Sequence, residues 1–242
     1  MGSPGIFSRM NVPPSEVLVL PNGVATVEWR RSAQARRVSL RIDPRNGGII
    51  VTLPPRASRR AGLALLNSHV DWITDRLRAL PSAVPFADGA IIPIDGIPHR
   101  LRHAPEQRGL PRIEAGELII TGNTEFLRRR TQDFLRIEAR RRLSALVAEK
   151  SEIAGLRAKR VTVKDTSSRW GSCAADGSLA FSWRLILAPV FVQDYVAAHE
   201  VGHLRHMDHG PKFWALVAEL TPHMVQATPW LRVEAARLMR IG

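Results

Sequence analysis

Between residues 24 and 53 apolar and polar positions alternate in three short runs, VATVEWR, RRVSLRI and IIVTLP. A period of two puts the apolar side chains on one face of an extended chain, so each run predicts a strand. Asn22-Gly23 and Asn46-Gly47-Gly48 punctuate the runs. Such pairs supply the positive φ of tight turns, which predicts antiparallel pairing. The period then changes. Over residues 58–80, SRRAGLALLNSHVDWITDRLRAL, apolar residues recur at helical spacing behind a serine cap, and one helix is predicted. Short strand-like pieces follow at 91–92, 99–102 and 118–120, and Thr124 opens a long arginine-rich amphipathic helix to about residue 150.

Beyond it, residues 160–164 and 177–183 read as strands joined by the turn-rich DTSSRWGSCAADG. Pro189 stands where a helix over 190–206 begins, a place where its missing N–H costs nothing. Pro211 lets another helix restart at 212 and run to about 220, and Pro222 and Pro229 punctuate the C-terminal segments. The order of elements predicts an α+β fold: an antiparallel β-rich N-terminal lobe with one helix over residues 1–123, then a second domain over 124–242. No internal repeat or low-complexity linker is evident, so the boundary near 123 marks a lobe more than a separable domain.

The 242 residues, 45% of them hydrophobic, suffice to bury a core. No run of about eighteen apolar residues occurs, which argues against a membrane span. The N-terminal MGSPGIFSRMNVPP lacks the order of a secretory signal, and the expected location is cytoplasmic. A single cysteine, Cys173, excludes an internal disulfide and any CxxC zinc site; it reads as a buried small hydrophobe. Any metal must therefore be held by histidine or carboxylate. The net charge is +13, and only four of the 35 basic residues are lysine. Arginine suits phosphate and carboxylate recognition, so a nucleotide or nucleic-acid partner is one reading of the excess. The other is base composition, with nothing more than loose polyanion affinity.

Candidate chemistry concentrates in HEVGHLRHMDHGPKFW, which begins at His199 and holds four histidines and one glutamate in its first eleven residues. Residues four apart on a helix are displaced by about 40° around the axis and about 6 Å along it. His199 and His203 thus present two imidazoles to one ion, and Glu200 leans over the same site, where it can take a proton from a water. A catalytic zinc needs a third protein ligand and an open position. His206 lies about 10 Å along the helix from His199, too far to share the ion comfortably with both others. His209 reaches it only if the chain turns back, and Met207-Asp208-His209-Gly210-Pro211 supplies that turn. Glu219, from the next helix, is the rival third ligand.

Four blocks, SSRWGSC (167–173), LAFSWRLILAP (179–189), HEVGH and DHGPKFW (208–214), resemble in order and spacing the YgjP-like, SprT-related zinc metallopeptidase family, over nearly the whole chain. The resemblance implies a zincin-like metal-dependent hydrolase domain over 124–242, with His199, His203 and His209 as zinc ligands and Glu200 as catalytic base. The family often has Asn before the third histidine where this chain has Asp208. The resemblance also implies a strand beside the metal helix that pairs with extended substrate. Arg169, Trp170 and Ser172 lie just before that strand and are the candidate substrate-binding residues; their other reading is structural, with Trp170 and Trp183 in the core, Gly171 as a bulge and Arg169 as an anchor. Tyr195, the single tyrosine, reads as packing rather than as an oxyanion donor.

These features point to zinc-dependent hydrolysis of a peptide bond in a peptide or protein substrate. The same site with arginines such as Arg169 and Arg184 as phosphate clamps would serve a nucleoside triphosphate pyrophosphohydrolase, although no phosphate-binding loop is present. A nucleic-acid-associated protein with a structural zinc site is the reading from another class. It calls for a fourth ligand, and none with good spacing is evident.

Overall fold

Among the strands of the first 53 residues, the predicted alternation is plainest in the second. In β2 (Gly23–Arg31) Ala25, Val27 and Trp29 turn inward while the residues between them stay wet. With β1 (Ser15–Leu20), β3 (Ser39–Ile42) and β4 (Ile49–Leu53) it forms a sheet in the order β1-β2-β4-β3. The outer pairs are antiparallel, as expected, but the central pair, β2 with β4, is parallel. The IIVTL of β4 is buried along most of its length, which suits the centre of a sheet; β3 is left at the edge, and the two central strands run the same way. This computed structural model describes residues 15–21, 23–167 and 169–242. The stretch MGSPGIFSRMNVPP, Asn22 of the first predicted turn and Ser168 of the SSRWGSC block lie outside the described residues.

The single helix expected over 58–80 is two, α1 (Arg59–Ser68) and α2 (Val70–Arg78). Ser58 caps the first by accepting the Ala61 N–H at 3.3 Å. At the break Ser68 Oγ donates to the Leu65 carbonyl at 3.1 Å and the His69 ring lies 3.0 Å from the same oxygen, so side chains compete for a helical acceptor there. Gly62 lets α1 lie on the sheet, because a β-carbon there would stand 2.5 Å from the Trp29 ring. Val27, Trp29, Val51, Leu66 and Ile73 close this unit's core.

The chain divides into two compact units, one ending at Leu80 and the other comprising Pro81–Gly242. The boundary expected near 123 thus falls inside the second unit. There β5 (Ile91–Ile94), β6 (Ile97–Ala104), β7 (Arg112–Glu114) and β8 (Glu117–Thr121) form a sheet in the order β5-β6-β8-β7. Its Ile92, Ile94, Leu101 and Leu118 share one core with the helices that follow, which is why it cannot be assigned to the first unit. This sheet repeats the strand order and the pairing senses of the first, with a parallel central pair between antiparallel outer ones.

After a 3-10 turn at Thr124–Phe126 comes α3 (Leu127–Ala154), ended by Gly155 in the left-handed region at φ 61. A third sheet of β9 (Arg160–Lys164), β10 (Gly171–Cys173) and β11 (Ser178–Ser182) has the order β10-β11-β9, leaving β10 at an edge. Three helices complete the unit: α4 (Val190–Gly202), α5 (Pro211–Leu220) and α6 (Met224–Met239). Helix α4 stops short of the predicted 206, and Pro229 lies within α6 instead of ending it. The fold is therefore mixed α+β, with mixed rather than purely antiparallel sheets. No described helix is long and apolar enough to cross a membrane.

Candidate metal centre

Helix α4 carries the site because nearly all of its circumference is buried. Val192, Val196, Ala197, Ala198 and Val201 enter the core, and the helix packs against α3, α5, α6 and β10. A buried polar linkage fixes it further: Lys150 of α3 lies 2.6 Å from Asp194 of α4, whose other oxygen accepts the Thr221 hydroxyl from the end of α5. At its start Gln193 donates to Asp95 at 2.9 Å and to the Ala188 carbonyl at 2.8 Å. A side chain on such a helix is held to the precision that the surrounding core allows.

His199 and His203 stand side by side, with ring centroids 4.9 Å apart. The chain leaves the helix after Gly202 and bends through Met207 and Asp208. There Asp208 Oδ1 accepts the Gly210 N–H at 3.3 Å, and Pro211 restarts a helix with Gly210 as its cap. The bend returns His209, whose ring centroid comes to 5.1 Å from that of His199 and 4.7 Å from that of His203. One nitrogen from each of the three imidazoles lies within 4.8 Å of the others. Phe213, fully buried, stacks beneath His203 at 4.5 Å, and Trp214 stands beside His209 at 5.6 Å. The side chains of His206 and Glu219 are not part of this group.

This donor set fits a divalent transition metal. His203 Nδ1 lies 3.0 Å from the His206 carbonyl and must donate to it, leaving Nε2 with its lone pair free. The Nε2 atoms of His199 and His209 are 3.2 Å apart. Two nitrogens bound tetrahedrally at about 2.0–2.1 Å would be separated by about 3.3 Å. Burial, reinforced by His203 and His209, lowers the His199 imidazole to about 4, and burial lowers His203 as well despite the opposing His206 carbonyl. Both rings are therefore neutral at pH 7, the form that ligates a cation. His199 Nδ1 is buried and finds no hydrogen-bond partner among the described residues. Burial pushes the neighbouring Glu200 carboxyl up to about 7, with the Arg169 charge acting in the opposite direction.

A three-histidine cluster with an adjacent carboxylate is what a metal-dependent hydrolase requires. Residues 36–234 match the family described as YgjP-like, metallopeptidase domain. The chain belongs to the YgjP-like family. It is therefore a hydrolase of the metal-dependent peptidase class. No curated protein matches the chain. Among solved structures, that of the metallopeptidase zymogen of Pyrococcus abyssi, abylysin, is 17% identical and aligns over 40% of this chain and 87% of that one, with a TM-score of 0.31, too low to bear on the fold.

In this YgjP-like chain the other singled-out residues fall into two groups. Arg169 is exposed, with its charge acting on Glu200, while Trp170 and Ser172 are half-buried. Trp170 packs against the core, and its carbonyl accepts the Ser182 N–H at 2.8 Å. Arg184, the suggested second phosphate clamp, is buried, ion-paired to Asp165 and laid over the Trp183 ring at 4.4 Å, so it is committed to the fold. Tyr195 is buried edge-on to His199, ring centroids 6.0 Å apart. Cys173 is half-buried rather than buried, and burial together with the Glu200 and Asp176 charges pushes its thiol up. Sequence reasoning missed Phe213 as the floor of the site, although its place two residues after Pro211 puts it in the first turn of α5. It also missed the Lys150–Asp194 linkage, which no local pattern announces.

Proposed function

We propose that this chain is a zinc-dependent peptidase in which His199, His203 and His209 hold the ion and Glu200 is the general base. The observation that carries the reading is the gathering of three imidazoles beside one buried carboxylate that makes no hydrogen bond among the described residues. Bound there, zinc would polarise the scissile carbonyl and acidify a water. Glu200 takes the proton of the attacking water on its carboxylate and hands it to the leaving amide nitrogen. Arg169, exposed near Glu200, contacts the substrate, and β10, an edge strand with Trp170 just before it, offers backbone groups to an extended peptide. The expected setting is the cytoplasm.

Metal analysis and one substitution test this reading. Protein purified without chelator should carry close to one zinc per chain. Glu200→Gln should keep that zinc and the fold while lowering turnover of a fluorogenic peptide by at least about a hundredfold, since an amide cannot accept the proton. Turnover within a few-fold of the parent would assign the base to another residue.

A further inference from the structure

Glu200 is 6% exposed, yet no hydrogen bond or ion pair from a described residue reaches its carboxylate. What it touches is the backbone of Gly171. A β-carbon built on Gly171 would stand 2.4 Å from Glu200 Oε1, 2.5 Å from Cγ and 2.7 Å from Cδ, distances at which something must move. The φ of Gly171 lies outside the left-handed region, so space and not torsion excludes a side chain there. The backbone of Gly171 is paired in register with Phe181 across β10 and β11, so the strain of an added β-carbon falls on the Glu200 side chain, which would have to leave this position.

A base must keep its lone pairs free for the proton it takes. Hydrogen bonds that fixed its position would stabilise the charged form and weaken it as a base. Packing fixes a carboxylate without that cost. We propose that Gly171 is a positioning residue for Glu200: its bare backbone is the wall against which the glutamate side chain is set beside the three imidazoles. The catalytic half of this proposal rests on Glu200 being the base; the steric half does not.

The two halves are read separately in the full-length chain. Thermal unfolding of metal-stripped parent, Gly171→Ala, Glu200→Ala and the double variant forms one cycle. With Glu200 present, Gly171→Ala should lower the melting temperature by about 5 °C or more, the effect of forcing a methyl into filled space. In the Glu200→Ala background the same change should cost less than half of that, because the atoms it strikes are gone. Equal costs in both backgrounds overturn the proposal. Should Gly171→Ala fail to fold, folding of the double variant supports the contact and failure of both overturns it. In the activity arm, on a fluorogenic peptide, Gly171→Ala should lower kcat at least tenfold while KM and zinc per chain stay within about threefold of the parent. An unchanged kcat overturns the positioning role. A parent that binds zinc but cleaves no peptide would count against the peptidase reading, and the melting cycle would still decide the contact.

Discussion

His206 and His209 are three residues apart, yet the structure gives them different partners. The side chain of His206 stays outside the imidazole group, and what this residue offers the site is its backbone carbonyl, to which His203 Nδ1 donates at 3.0 Å. His209 contributes its ring, 3.2 Å from His199 between Nε2 atoms. His209→Ala should therefore lower zinc affinity at least about a hundredfold, beyond the range typical of losing an outer-shell partner, whereas His206→Ala should leave it within about threefold. Competition with a chromophoric chelator measures both, and equal losses would make the His206 ring a ligand. The gathering of these histidines is legible in the sequence because helical spacing aligns two of them and Gly210-Pro211 forces the return of the third. Gly171 is not legible in that way. Its neighbour Glu200 is brought to it by the crossing of β10 and α4, and no local periodicity encodes such a contact. Asp208 has a local role here as acceptor for the Gly210 N–H.

Elements declare themselves in sequence when they are long enough to show a period. β7 and β10 span three residues each, too few for one, and both escape. β1 escapes for another reason: in SEVLVL the outward Val17 and Val19 are as apolar as the inward Leu18 and Leu20, so the alternation is erased. The turn between β3 and β4 shows what such connections depend on. Asp43, nearly buried, accepts the Arg45 backbone N–H at 3.0 Å and its guanidinium at 2.7 Å, and its carbonyl receives the Gly47 N–H at 2.9 Å with Gly47 at φ 73. Burial pushes the Asp43 carboxyl up, but the hydrogen bonds and charge of Arg45 outweigh it and hold the group below its ordinary value. With the folded value below the unfolded one, the carboxylate stabilises the fold above about pH 4 and loses that contribution as the pH falls through the lowered value. Asp43→Asn should cost about 1–3 kcal/mol at pH 7. The difference from the parent should shrink below about pH 4 in denaturant titrations. A difference that stayed constant down to about pH 2 would assign the effect to packing.

At the scale of the whole molecule, composition proves a poor guide and packing a good one. The positive charge suggests a phosphate partner, yet arginines that look free in sequence are engaged in the fold: Arg142 with Asp95, Arg184 with Asp165, Arg45 with Asp43. The likeness of the two four-stranded sheets is likewise invisible in sequence, since the same strand order and pairing senses are built from strands of unlike sequence. The placing of the boundary at Leu80 follows from two buried clusters that share no residue, one built on Val27, Trp29, Val51 and Leu66, the other running from Phe86 to Ile241. The C-terminal end belongs to the second cluster from both sides, because Val84 and Ile241 pair as an isolated bridge and Phe86 lies against Gly242. Every imidazole of the metal centre and every element that packs around α4 lies in this second unit. A chain comprising residues 81–242 alone should therefore unfold in one cooperative transition and bind one zinc, with affinity within about tenfold of the full-length protein. Circular dichroism melts and metal titration of that fragment decide the matter. A fragment that is unfolded, or folded without metal affinity, would mean that the first unit completes a core that the contacts within the second do not close alone.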